Sequence, residues 1–114
     1  MSSLADRQAA FSLAVARLIL HADQLGYRVR FGDCYRDPRC SYGHPQSTHR
    51  SRLAVDLMLD RRIDGEWAWQ RDTREYAVLG EWWEAEYRDY DAAWGGHFSG
   101  GDGNHFSFPW MGVK

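Results

Sequence analysis

The stretch Leu53-Ala54-Val55-Asp56-Leu57-Met58-Leu59-Asp60 decides the fold of this 114-residue chain. Its odd-numbered positions are all aliphatic, and this alternation is typical of a strand with one face buried. The stretch therefore predicts a strand whose aliphatic side chains point into the core. Asp56 falls at an even position, so its carboxylate is expected on the opposite face of the strand.

A helix and a strand are predicted before this segment. Ser3 and Asp6 have the spacing of a capping box, and Gly26 suits the left-handed residue that follows a helix end. Between them, apolar residues recur at spacings of three, four and seven and predict an amphipathic helix: Leu4, Phe11, Val15, Leu18, Ala22 and Leu25. Residues 27–31 alternate between apolar and charged side chains and predict a strand. Glycine and proline make residues 32–48 a loop.

Further elements are predicted after the segment. Residues 61–70 have the pattern of a short strand or a hairpin, and a helix capped by Asp72 or Thr73 is expected to run to about residue 87. The glycine-rich end of the chain is expected to supply two short strands, the last at 105–108. This order of elements predicts an α+β fold, in which helices flank a small antiparallel sheet.

Length and composition are those of one domain spanning residues 1–114. The net charge is −2 and the basic residues are scattered among the acids, so nucleic acid is not an expected partner. Arg17 interrupts the apolar run at 9–20, and we therefore expect neither a signal peptide nor membrane insertion. The six Trp residues are interpreted as core residues, although one or two could line a substrate groove. We expect the protein to be a monomer.

The two cysteines, Cys34 and Cys40, lie too far apart for a C-x-x-C redox motif or a structural zinc pair. We expect free thiols, and a small disulfide is the alternative.

Two short stretches combine imidazole and carboxylate groups. His49 and Asp56 are seven positions apart, and Asp102 and His105 are three apart. If the strands that carry them are neighbours, these side chains could converge on one sheet face. Two imidazoles and a carboxylate form a ligand set for catalytic zinc, which lowers the pKa of a bound water to about 7, and the spare carboxylate could act as a base. Taken singly, each group is better explained as a surface polar residue near a turn.

The same residues resemble a known family. The pattern Ser47-x-His49-x6-Asp56, followed by Asp102-x-x-His105, is similar to that of the LAS zinc peptidases, which cleave peptidoglycan stem peptides. That family includes D-Ala-D-Ala carboxypeptidases and dipeptidases, and the L-alanyl-D-glutamate endopeptidases of bacteriophage endolysins. Residues 79–84 and Trp94-Gly95-Gly96 resemble the phage endopeptidases most closely.

The resemblance implies a role for each matching residue. His49, Asp56 and His105 would hold Zn²⁺, and Asp102 would be the base that activates water. Arg36 would polarise the scissile carbonyl by stabilising the oxyanion that forms there.

Other assignments stay open at this stage. Arg36 could instead be a surface residue paired with Asp33 or Asp37. Ser47 could orient His49 or touch the substrate, and Trp94 is a candidate substrate-binding residue.

Three features depart from the family's pattern. Gly is common three residues after the first His of the motif, where this chain has Arg52. The segment between Arg36 and His49 is shorter than usual, which could open the substrate groove or remove part of its wall. The residue after Trp94-Gly95-Gly96 is usually acidic but is here His97, which is expected to be either a pocket residue or a strand residue.

The resemblance implies a zinc-dependent hydrolase with peptidoglycan stem peptides as its substrate, cutting the L-Ala–D-Glu bond. One alternative is a D-Ala-D-Ala carboxypeptidase or dipeptidase, and another is a zinc-binding relative without activity. A third is a non-catalytic phage structural module whose Trp-rich half binds the cell wall. The phage-type interpretation places the protein in the host bacterial cytoplasm before lysis, or in the virion.

Overall fold

The first helix, α1, spans Leu4–Gln24 in the computed structural model, which describes residues 3–37, 39, 42 and 47–114. The predicted capping box is confirmed, because the Asp6 N–H donates to Ser3 Oγ and the Ser3 N–H donates to the Asp6 carboxylate. Gly26 follows the helix end at φ +92°, a conformation that glycine adopts without a Cβ clash. No helix among the described residues combines the length and apolar character needed to cross a membrane.

Five antiparallel strands form the sheet within the described residues. Their bounds are β1 Arg28–Phe31, β2 Ala54–Ile63, β3 Glu66–Trp69, β4 Ala93–Trp94 and β5 His105–Ser107. The strand order is β1-β2-β5-β4, and β3 also pairs with β2. The central strand β2 thus contains all but the first residue of the segment that the aliphatic alternation predicted, and it runs three residues beyond the end of that segment.

Strand β2 has different neighbours along its two edges. Asp60 pairs with Arg28 of β1 on one edge and with Trp69 of β3 on the other. Asp56, four residues earlier, pairs with His105 of β5. The main chain of Asp56 also bonds to residues 32 and 33, which continue from β1, so β5 lies on the same edge as β3. Strands β5 and β3 therefore follow one another along a single edge of β2.

The hydroxyl of Tyr76 fills the gap between these two strands. It accepts a hydrogen bond from the Leu59 N–H at 3.0 Å and donates to the Gln70 carbonyl at 2.7 Å. Tyr76 is 3% exposed, so this hydroxyl replaces main-chain pairing that the sheet itself does not supply.

A tight hairpin joins β2 to β3. Asp64 and Gly65 both have positive φ, at +51° and +79°, as in the turns that match the twist of paired strands. The hairpin alternative predicted for residues 61–70 is therefore confirmed.

The second helix, α2, spans Ala77–Glu86 and follows a 3-10 turn at Thr73–Tyr76. Asp72 caps that turn by accepting the Arg74 N–H, so the predicted start is confirmed while the first turn is tighter than an α-helix.

The core lies between the two helices and one face of the sheet. Leu57 and Leu59 point into it from β2, and Trp83 of α2 is completely buried there. The Trp83 ring meets Phe11 edge-on at 5.8 Å and stacks on Phe108 at 5.3 Å. The fold is α+β in a single domain, and Asp56 lies on the sheet face opposite this core.

Candidate metal centre

Three side chains converge where β2 and β5 pair. Asp56 lies directly opposite His105 in the register, and His49 lies in the turn before β2. The Oδ1 atom of Asp56 is 3.3 Å from Nε2 of His49 and 3.7 Å from Nδ1 of His105. One ligand atom from each residue lies within 4.8 Å of the others, so the three could hold a metal ion, as the spacing suggested. These three residues are called the triad below.

The turn that carries His49 is held by short-range hydrogen bonds. The His49 N–H donates to Oγ of Ser47 at 3.2 Å, and the Leu53 N–H donates to the Thr48 carbonyl at 2.8 Å. Arg52 adopts φ +56°, in the left-handed region that favours glycine. Arg52, where the sequence departs from the zinc-peptidase pattern, thus has a backbone conformation that glycine adopts readily.

His105 is oriented by the main-chain oxygen of Lys114, which lies 3.0 Å from its Nε2 atom. Because this oxygen can only accept, Nε2 carries the ring proton, and the Nδ1 lone pair is free to bind a metal beside Asp56. The same oxygen accepts from the hydroxyls of Thr48 at 2.9 Å and Ser107 at 2.8 Å. One oxygen thus connects β5, the turn before β2 and the ligand ring, a second layer of support of the kind found around metal-binding histidines.

The carboxylate of Asp56 fits a cation. Burial by itself would raise its pKa, but hydrogen bonds and positive charge from the His105 and His49 rings, in the metal-free site with protons on the facing nitrogens, outweigh this effect and lower the pKa of Asp56 to about 2. The group is therefore ionised at neutral pH. Its Oδ1 atom is buried and has no hydrogen-bond donor among the described residues. A buried anionic oxygen that lacks a donor and faces two imidazole nitrogens suits a metal ion.

Asp102 lies beside the triad. Its Oδ2 atom is 4.0 Å from Nδ1 of His105, and its side chain is half exposed. Partial burial and the negative charge of Asp56 both raise the pKa of Asp102. A carboxylate with a raised pKa, next to the ligand set, has the position and the proton affinity expected of a general base.

The loop that carries Asp102 is held by Trp94 and Gly95. The Asp102 N–H donates to the Gly95 carbonyl at 2.8 Å, and a Cβ at Gly95 would collide with the Asp102 main chain. The indole N–H of Trp94 donates to the Gly103 carbonyl at 2.7 Å, and its ring packs against Gly80. These elements of the sequence motif therefore position the candidate base.

Neither Trp94, a candidate substrate-binding residue, nor His97, expected either in the pocket or in a strand, lines the cavity beside the triad. Trp94 is 4% exposed and belongs to the core. His97 lies in the 3-10 turn Gly95–His97, where its Nδ1 atom is 2.9 Å from the carboxylate of Glu84. The interpretation of His97 as a strand residue is wrong, because the strand that was expected through this region ends at Trp94.

Arg36 and Ser47 line the same cavity as the triad and Asp102, with a volume of about 460 Å³. Arg36 is 9% exposed, so it is not the surface residue that the alternative interpretation described. Its Nη2 atom is 3.8 Å from the carboxylate of Asp33, while Asp37 pairs with Arg39. The Nε atom of Arg36 is buried and has no hydrogen-bond partner among the described residues. A weakly paired, buried guanidinium in this cavity is suited to stabilising negative charge on a ligand.

Sequence reasoning missed three residues that also line this cavity, namely Phe98, Val113 and Lys114. Phe98 packs against the His105 ring with 5.2 Å between ring centroids. No spacing pattern could have found the main-chain oxygen of Lys114, because a main-chain hydrogen-bond acceptor leaves no residue signature. Two earlier predictions concern neighbouring residues. Cys34 is exposed, but Cys40 and most of the shortened segment before His49 lie outside the described residues, so the thiol and groove predictions stay open.

The chain matches none of the family models against which it was scanned, and a search of curated proteins found no relative. The fold and the triad define a small α+β domain with a candidate metal centre on one sheet face.

Proposed function

We propose that this protein is a zinc-dependent peptidase that cleaves the L-Ala–D-Glu bond of peptidoglycan stem peptides. One observation carries the proposal: the triad, the carboxylate of Asp102 and the guanidinium of Arg36 line one cavity of about 460 Å³. A ligand set, a base and an oxyanion-stabilising cation are the groups that amide hydrolysis at a metal centre requires.

The triad would hold the metal through Nε2 of His49, Nδ1 of His105 and the carboxylate of Asp56. Two histidines and one carboxylate are a ligand set that catalytic zinc sites use, with a position left open for water. When bound there, zinc acts as a Lewis acid that makes water a stronger acid and polarises a carbonyl group.

The carboxylate of Asp102 would take the proton from the attacking water and pass it to the leaving amine. Its side chain is half exposed and its Oδ2 atom lies 4.0 Å from a ligand nitrogen, so it can reach a reactant in the cavity without joining the triad. Its position beside the triad lets it accept the proton of the attacking water, the role that a positioned carboxylate plays in general base catalysis.

Arg36 would stabilise the negative charge that develops on the carbonyl oxygen. Its main-chain N–H donates to the His49 carbonyl at 3.1 Å, so its backbone is fixed to the turn that carries a ligand. The guanidinium is buried beside the triad, and a positive charge that is already in place there stabilises an oxyanion as it forms.

The choice of bond rests on the resemblance of residues 79–84 and Trp94-Gly95-Gly96 to the phage endopeptidases. Mass spectrometry of digested, purified peptidoglycan tests it. We expect new free amino groups on D-Glu and release of the peptide stems from the glycan. Release of free D-Ala with the glycan–peptide link intact would instead indicate a carboxypeptidase. If the zinc-loaded protein binds peptidoglycan without cleaving it, the wall-binding module is the correct interpretation.

A further inference from the structure

The sheet face that carries Asp56 continues away from the metal centre along β2. Side chains on a strand alternate between faces, so Asp56, Met58, Asp60 and Arg62 share one face. Asp60 lies about 14 Å from Asp56, at roughly 3.4 Å per residue. An extended peptide bound at the triad would need about four residues to cover that distance, at 3.3–3.6 Å each.

Four arginines and two tryptophans interleave on this distal part of the face. The guanidinium groups of Arg28 and Arg62 lie 4.8 and 4.9 Å from the ring centroid of Trp67. Those of Arg30 and Arg71 lie 5.9 and 4.2 Å from the ring of Trp69. We call these six residues the arginine–tryptophan ladder. Cation–π contacts hold each guanidinium against a ring and leave N–H groups at its edges for other partners.

The ladder carries more positive than negative charge. Asp60 is 1% exposed and pairs with Arg28 and Arg30 at 2.7 and 2.8 Å, and the bond from Arg30 holds the pKa of the Asp60 carboxyl below its usual range. Arg62 and Arg71 have no ion pair in the described part of the chain. The chain as a whole has a net charge of −2, whereas this surface has a local excess of positive charge. The surface is therefore complementary to an anionic ligand.

A second cavity lies between the ladder and the metal centre. It has a volume of about 320 Å³ and lies where the end of β3 meets the start of β5. Trp69 and Arg71 line it on the ladder side, and Asn104 and Asp102 line it on the side of the triad. Asp102 lines both cavities, so a ligand could pass from one to the other along the candidate base.

We propose that the ladder and the second cavity form an extended subsite for carboxylates of the substrate peptide, with Arg71 as the main contact. This inference rests on the proposed function, because the peptide must also reach the triad. A stem peptide cut at L-Ala–D-Glu keeps the carboxylates of its released part on one side of the scissile bond. Arg71 is the ladder arginine that also lines the second cavity, and its guanidinium can accept a carboxylate through paired N–H groups.

Binding of a soluble stem pentapeptide that begins L-Ala–D-Glu tests the subsite by titration calorimetry. The zinc-loaded Asp102→Asn protein serves as the background, so that the peptide is not consumed. In that background Arg71→Gln should weaken binding about tenfold, as expected when a charge-assisted hydrogen bond is lost. Arg61→Gln is the matched control, because Arg61 is an exposed arginine on the opposite face of β2 and its loss should leave affinity unchanged.

A peptide whose carboxylates are converted into amides separates charge recognition from stacking. The amidated peptide should bind weakly, and with equal affinity, to the Asp102→Asn protein and to its Arg71→Gln derivative. Added salt should weaken binding of the acidic peptide but not of the amidated peptide. Equal affinity of the acidic peptide for both proteins, or undiminished binding of the amidated peptide, would overturn the subsite. Cleavage of peptidoglycan by the unsubstituted protein is measured separately. The unsubstituted protein could fail to cleave peptidoglycan while the acidic peptide still binds in a way that depends on Arg71. That result would refute the proposed function and leave the subsite standing.

Discussion

Asp56 and His105 lie directly opposite each other in the antiparallel pairing of β2 and β5, with 3.7 Å between Oδ1 of Asp56 and Nδ1 of His105. The backbone register therefore sets the position of two of the three candidate ligands, and the turn before β2 adds His49. A slip of one residue would move one partner of the pair to the other face, so the hydrophobic pattern of β2 indirectly fixes the site. Ligands on strands are held more precisely than ligands on loops.

The triad is expected to bind zinc. Elemental analysis of protein purified without chelator should find about one zinc ion per chain. Zinc at a hundredfold excess over its dissociation constant should stabilise the fold by about 2.7 kcal/mol, and chelation should lower the melting temperature accordingly. The double variant His49→Ala and His105→Ala should lose both the zinc and the shift. His97→Ala is the matched control, since His97 lies outside the triad and pairs with Glu84. Undiminished zinc content in the double variant would refute the site.

Asp102→Asn tests the base. An amide is nearly the same size as a carboxylate but cannot take a proton from water, so hydrolysis should fall about 10²–10⁴-fold while zinc content stays the same. Peptidoglycan hydrolysis and zinc content are measured on one preparation. Asp89→Asn serves as the control, because this exposed carboxylate lies outside the cavity lining. If Asp102→Asn loses zinc and recovers activity once zinc is restored, Asp102 supports the metal and the base lies elsewhere.

Arg52 tests the turn that carries His49. Its φ of +56° is costly for any residue with a Cβ, by about 1–2 kcal/mol, and this exceeds the extra entropy that glycine loses on folding. Arg52→Gly and Arg52→Ala both remove the stacking of the guanidinium on Tyr35, 4.2 Å from the ring centroid. The difference between them therefore isolates the backbone effect. Urea unfolding should find the Gly variant more stable by about 1 kcal/mol; equal stability would show that the turn carries no strain.

Tyr76→Phe tests the junction between β3 and β5. Removing the hydroxyl leaves the buried N–H of Leu59 and the carbonyl of Gln70 without their partner, which should cost about 1–3 kcal/mol in the free energy of unfolding. Tyr87→Phe is a matched control, because the buried Tyr87 hydroxyl has no hydrogen-bond partner among the described residues. Its removal should be nearly neutral. Because both variants keep the aromatic ring, an equal change in stability would mean that the hydroxyl bridge adds nothing to the junction.

Local patterns in the sequence predicted the main helix, the central strand and the candidate ligands. The alternation in Leu53–Asp60 predicted β2, and the apolar spacing after Ser3 predicted α1, because the period of buried side chains follows directly from the geometry of each element. The sequence also identified His49, Asp56 and His105 as possible ligands, since few residue types bind zinc. It named Trp94 as a candidate substrate-binding residue and His97 as a pocket or strand residue, and neither lines the cavity beside the triad. A motif names residues without stating whether they contact a ligand or support a loop.

Only the tertiary structure decided which residues meet. The opposition of Asp56 and His105 depends on strand pairing across 49 positions of sequence, and local preferences carry no information about such pairing. The Lys114 oxygen behind His105 and the Tyr76 bridge depend on distant backbone groups, which every residue possesses and which no pattern distinguishes. The arginine–tryptophan ladder arises in the same way, since Arg28, Arg71 and their neighbours come from separate segments that only the register of β1, β2 and β3 brings together. Sequence thus determined the elements and the available chemistry, while packing and register determined the site.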